Sequence, residues 1–355
     1  MSKAILLIGS YTETLSDELT GRGHGILVAE FDAINGTISI KSAHFVRNPS
    51  YLTSGAKNSV YAVSELPKGD ASTVAFLLNA DRSLHFLNAR KVQGGYPCHL
   101  TYHHELNCIL AACYGTGHLI LHQVAADGQI QSAQHLIRHT GKSIDLKRQQ
   151  SAHPHMVLIE GNRIFVPDLG IDQIRCYEVT KNEKKYELVE ASRVTVPKGS
   201  GPRHVVIHPG KKHLFILNEL KATISVIRCG NEDLTYLSSF PILPPESNAS
   251  NGASAIRIAP DGRFIYASDR VNNGIAIISF DSQKESMERV SFCSTHGRNP
   301  RDIQLSPCGN WLLAANMDTD CITVFAVDKA SGLLSVQDQF IGIISPSCLC
   351  WLSGS

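Results

Sequence analysis

Seven times along this chain a proline, or an alanine in its place, opens a short apolar strand. A polar turn follows, then a second apolar strand ending in a small or carboxamide residue, then a third strand. The copies start at Asn48-Pro49-Ser50, Tyr96-Pro97-Cys98, His153-Pro154-His155, Gly201-Pro202-Arg203, Gly252-Ala253-Ser254, Asn299-Pro300-Arg301 and Ser345-Pro346-Ser347, with second positions 48, 57, 48, 51, 47 and 46 residues apart. A repeat of this period, patterned for strands and with no helical stretch between copies, is the signature of a β-propeller with four strands per blade. The expectation is an all-β, seven-bladed β-propeller of four-stranded antiparallel blades. Residues 1–355 are expected to form one domain, because each blade packs only on its neighbours around an axis.

The clearest copy runs from Arg203 to Ile227 with Pro209-Gly210 as its turn, and the next two carry Pro260-Asp261-Gly262 and Pro307-Cys308-Gly309. Proline sets φ at the start of such a turn and glycine supplies a positive φ near its end, so these positions serve the fold. The seventh copy has only an inner strand before the chain ends. Its missing outer strands are expected at 5–10 and 25–31, so that both termini share the last blade and no sheet edge is left free at the seam. Three stretches, 12–24, 134–152 and 243–251, do not fit the blade plan. Loops of that length are commonly functional, and at least one is expected to overhang the axial cleft.

Composition excludes several classes of partner. Thirty-three basic residues against 32 acidic ones leave a formal charge of +1, which gives no electrostatic case for nucleic acid or an anionic membrane surface. Any positive site must be local. The apolar run from Ala4 to Ile8 is too short for a signal-peptide core, and no segment approaches the roughly 20 apolar residues that span a bilayer. The ten cysteines lie mostly in strand-like runs without a Cys-x-x-Cys pair, and read as reduced thiols of a cytoplasmic protein. No His-Glu-x-x-His or Gly-x-Ser-x-Gly pattern occurs, and Gly21-Arg22-Gly23 and Gly115-Thr116-Gly117 have no following helix to make a phosphate cradle. Neither a metal nor a cofactor is expected.

Aligning the copies on one another separates scaffold from chemistry. After the repeat proline stand Ser50, Cys98, His155, Arg203, Ser254, Arg301 and Ser347, a ring free to vary at the point where inner strands converge. Two residues on, Leu52, Leu100, Val157, Val205, Ile256, Ile303 and Leu349 form a plain core ring. The residue after the second strand is Glu65, Tyr114, Leu169, Glu219, Arg270 and Met317, again a mixed and partly charged set. Arg257 stands where neighbouring blades have Val206 and Gln304, and a lone arginine on an inner strand needs a carboxylate, phosphate or water. Asp302, next to Arg301, is a natural ion-pair partner for it. His99 and His204 share one position beside the ring; strand alternation turns them towards blade packing, and they are retained as candidate substrate contacts.

With these residues in place the chain resembles the lactonase (cycloisomerase 2) family of seven-bladed propellers. The resemblance rests on Ser151-Ala152-His153-Pro154-His155, Val166-Pro167-Asp168-Leu169-Gly170, Gly201-Pro202-Arg203-His204, Asn218-Glu219-Leu220 and Asn316-Met317-Asp318, and extends over essentially the whole chain. It implies an enzyme acting on a small anionic lactone or dicarboxylate. One branch is the bacterial 6-phosphogluconolactonases; the other, the carboxy-muconate cyclases, implicates His155, Arg203, Glu219 and an inner arginine, Arg257 or its rival Arg270. Lactone hydrolysis needs a base, a cation at the developing oxyanion and an anchor for the anionic group. Glu219 or His155 fits the base, Arg203 and Arg257 the cations, and Arg270 and Arg301 substrate contacts. A cycloisomerase would use the same set, and a non-catalytic platform for protein partners is the reading from a different class.

Overall fold

Buried strands such as Cys108–Cys113, apolar throughout, and Trp311–Asn316, apolar up to its last residue, have all six residues buried and are covered on both faces. In the computed structural model, which describes residues 3–16, 19–182, 185–231, 233–248 and 251–352, such strands form the middle of each blade. Among the described residues 28 strands make seven four-stranded antiparallel sheets. Six blades follow the chain directly, at 52–91, 97–138, 158–195, 202–241, 253–294 and 300–341. The seventh takes its inner strand, Pro346–Trp351, from the C-terminal end and its other three, Lys3–Ser10, Ile26–Asp32 and Thr37–His44, from the N-terminal end. The third of these was not anticipated.

Each of the seven interfaces between neighbouring blades encloses its own apolar cluster. The core ring holds as expected: Leu52, Leu100, Val157, Val205, Ile256, Ile303 and Leu349 are all buried, each contributing about 1.5–3 kcal/mol. Two local expectations need correction. Gln134 to Arg138 belong to the outer strand Ile130–Arg138 rather than to a loop. In the blade at 202–241 the positive φ of the turn falls on Lys211 (57°), whereas Gly262 (78°) and Gly309 (68°) carry it in the next two blades. The expectations for 12–24 and 243–251 include residues 17, 18, 249 and 250, which lie outside the described residues.

Two recurring backbone devices aim side chains at the axis. The first is a bulge at the start of the inner strand. Pro202 pairs with Asn218 and His204 with Leu217, so Arg203 is the extra residue; Cys98 and Arg301 are extra in the same way. A bulge leaves its residue out of the ladder and re-aims it. The second device holds the strand end opposite. The amides of Glu65, Tyr114, Leu169, Glu219, Arg270 and Met317 each donate to the carbonyl two residues before the ring position, at 2.8–3.0 Å. Both variable sets seen in the repeat therefore face one end of the channel.

Candidate active site

A cleft of about 450 Å³ opens at that end of the channel, large enough for a small metabolite. Its lower part is built from the bulged ring, through Cys98, His155, Arg203 and Arg301, and its upper part from Glu65, Tyr114, Glu219 and Arg270. The three irregular stretches rim it through Ser16, Arg148 and Asn251. Beneath it a chamber of about 10 Å³, bordered by His204, Asp302 and Ser347, shares His155, Arg203 and Arg301 with the cleft.

Glu219 is the centre of charge. Its Oε1 lies 2.7 Å from Arg148 Nη2 and 3.1 Å from Arg270 Nη2, and its Oε2 lies 2.9 Å from Arg203 Nε. The Arg203 N–H is turned off that oxygen, so this last contact is an ion pair without a hydrogen bond. Burial by itself raises the Glu219 carboxyl, but Arg270, Arg148 and Arg203 together outweigh it and hold the group far below the usual carboxylate range. Burial, against the pull of Glu219, brings Arg203 down to about 10, leaving it cationic at neutral pH. Burial and then Arg203 hold His155 well below the ordinary imidazole range, so it is neutral at pH 7. Cys98, 3.7 Å from His155 Nδ1, has its thiol pushed well up by burial, which favours the protonated form.

Arg301 is arranged differently. Its Nη2 donates to the Tyr11 hydroxyl at 2.6 Å, its guanidinium lies 4.9 Å from the Tyr11 ring centroid, and that hydroxyl donates to Glu65 at 2.8 Å. Among the described residues no carboxylate makes an ion pair with it. Asp302 does not serve that role, because the pleat beyond the bulge turns it away to pair with Arg257.

The structure thus brings together His155, Arg203, Glu219, Arg270 and Arg301 and leaves three expected residues, Arg257, His99 and His204, out of the cleft lining. Arg257 donates to Asp302 Oδ1 at 2.9 Å and to Gln304 at 2.6 Å and does not line the cleft; burial draws it down, and Asp302, Tyr51 and Cys348 together more than offset this. It forms an inter-blade ion pair, and of the two rival arginines it is Arg270 that lines the cleft. His99 packs against Tyr51, with ring centroids 4.0 Å apart and the planes tilted by 35°, and accepts from the Val157 amide; it borders neither space. His204 borders only the chamber, where its Nε2 accepts from Arg203 Nη1 at 3.0 Å.

Arg148, Tyr114, Glu65 and Tyr11 escaped the sequence reading. Tyr114 and Glu65 occupy the same aligned position as Glu219, and that shared position was the available signal. Arg148 belongs to a loop that has no counterpart in other blades.

A family model described as "Lactonase, 7-bladed beta-propeller" matches residues 5–351. The chain belongs to this lactonase family. A 6-phosphogluconolactonase of Bacillus subtilis is 28% identical over 99% of both chains. A structure from Bacteroides fragilis, provisionally named a 6-phosphogluconolactonase, superposes with a TM-score of 0.89 at 29% identity over 99% of this chain and 98% of its own. A periplasmic gluconolactonase of Pseudomonas aeruginosa superposes with a TM-score of 0.88 at 26% identity over the full length of both. The protein is accordingly a lactonase, a hydrolytic enzyme with a small lactone as substrate. Since one relative is periplasmic, membership of the family does not fix the compartment. Among the described residues no helix is long and apolar enough to cross a membrane.

Proposed function

We propose that this lactonase hydrolyses an anionic sugar lactone of the 6-phosphogluconolactone type in the axial cleft. The observation carrying this reading is the Glu219 carboxylate, held ionised among arginines beside a neutral His155, above an Arg301 that makes no ion pair among the described residues. Glu219 takes a proton from water as the water oxygen attacks the lactone carbonyl carbon. Arg203 and Arg301, at the base of the cleft, stabilise the oxyanion of the tetrahedral intermediate. Collapse breaks the bond to the ring oxygen, which receives the proton from Glu219, and the product is the open hydroxy acid. His155 borders both the cleft and the chamber and holds the water or the carbonyl by a neutral N–H. Four arginines against Glu65, Glu219 and Asp318 leave the cleft cationic, in favour of an anionic substrate. The ten free thiols support a cytoplasmic setting in sugar metabolism.

The test is acid release from 6-phosphogluconolactone by the purified protein, measured against the spontaneous rate and beside gluconolactone. Enzymatic hydrolysis of the phosphorylated lactone supports the reading. Turnover of a carboxymuconate with neither lactone hydrolysed would overturn it in favour of a cycloisomerase.

A further inference from the structure

Three of the four cleft arginines converge on one carboxylate, and they do so at different depths. The side chain of Arg203 is 4% exposed, that of Arg270 21% and that of Arg148 34%. Arg148 is also the one carried by a loop. Its backbone is fixed: the amides of Lys147 and Arg148 donate to Asp145 Oδ1 at 2.8 and 2.9 Å, and Gln149 Nε2 donates to Asp172 Oδ1 at 2.9 Å. The tip of the side chain is only partly engaged. Nη2 alone makes both contacts, to Glu219 Oε1 at 2.7 Å and to the Tyr114 hydroxyl at 3.2 Å, while Nε and Nη1 make no hydrogen bond within the described residues. A fork with two donors left over, at the mouth of a cleft, suits the paired oxygens of a phosphate.

We propose that Arg148 is the specificity-determining residue for the phosphate of the substrate, leaving Glu219 Oε1 to bind that group at the cleft mouth and thereby freeing Glu219 to act as base. This rests on the lactonase reading above. The exchange leaves Glu219 compensated, because Arg203 and Arg270 remain beside it. It also places the phosphate at the more exposed Arg148 and leaves Arg203 and Arg301, which line the same cleft, for the reacting carbonyl. The groups facing Glu219 are Arg148 from the loop, Arg203 and Arg301 from inner strands, His155 from the segment just before the strand Leu158–Glu160, Arg270 from a strand end and Tyr114. With Arg148 withdrawn, the carboxylate becomes a stronger base, so substrate phosphate raises kcat as well as affinity.

The test is Arg148→Gln, with melting temperature compared to wild type and steady-state kinetics on 6-phosphogluconolactone and gluconolactone. The ratio of kcat/KM for the phosphorylated over the neutral lactone is expected to fall about tenfold or more, with both kcat and KM affected. The acid limb of the gluconolactone profile is expected to move to higher pH, a change that a merely structural role would not produce. An unchanged ratio, or an equal loss on both lactones, overturns the proposal. Binding of inorganic phosphate by titration calorimetry needs no turnover; it is expected to weaken about tenfold in Arg148→Gln, and equal binding overturns the proposal. If wild type hydrolyses neither lactone, the sugar-lactone reading of the substrate fails by itself, and the phosphate titration still decides Arg148.

Discussion

Glu219 shows how one carboxylate neutralises a cluster of cations that would otherwise repel one another. Glu219→Gln keeps the shape and removes the charge. It is expected to lower kcat by about 10²–10⁴ and stability by roughly 3–5 kcal/mol, since buried guanidinium charge is left uncompensated; kinetics and urea denaturation measure the two. The pH dependence follows from the sign of the shift. The folded-state value is depressed, so the stabilisation is complete above the unfolded value of about 4.3 and is lost as pH falls through the folded value. The stability gap between wild type and Glu219→Gln should therefore be widest at neutral pH and close in strong acid. Arg257→Gln makes the opposite contrast: loss of roughly 3–5 kcal/mol from the broken pair with Asp302, and kcat/KM within about twofold of wild type because Arg257 does not line the cleft. The ring residues were legible because the repeat supplies its own alignment. The placement of Arg257 was not legible, because its partner lies on the neighbouring blade, a contact that no spacing along the chain reveals. Arg148 was hidden for want of a second copy.

Among the strands, inner and middle ones were legible and outer ones less so. Thr37–His44 and Ile130–Arg138 are half-exposed and carry polar residues at most positions, so their pattern merges with that of a loop. The bulges were invisible too, since the extra residue is defined by pairing across the ladder. Backbone closeness gives a test at this scale. A Cβ on Gly170 would lie 1.8 Å from the Ser151 carbonyl oxygen, at the point where Asp168 Oδ1 receives the amides of both His153 and Gly170. Gly170→Ala must displace the segment between Arg148 and His155. It is expected to lower the melting temperature by several degrees, as a loss of about 1–3 kcal/mol would, and to reduce kcat/KM; thermal unfolding and kinetics on the same sample check this.

At the scale of the molecule, the mixed-terminus blade was legible from a count of strands: the last copy was short and the first residues had a surplus. Trp351 ties this blade down, with its Nε1 donating to the Leu305 carbonyl at 2.7 Å and its ring 5.3 Å from that of Phe31. Trp351→Ala is expected to cost roughly 3 kcal/mol, read as a shift in the urea midpoint of a single transition. The same blade has a consequence during synthesis. Lys3–Ser10 leaves the ribosome about 340 residues ahead of its inner neighbour Pro346–Trp351. At about 5–20 residues per second, the apolar edge of the opening strands waits roughly 15–70 s for its partner, the interval in which chaperone protection matters most.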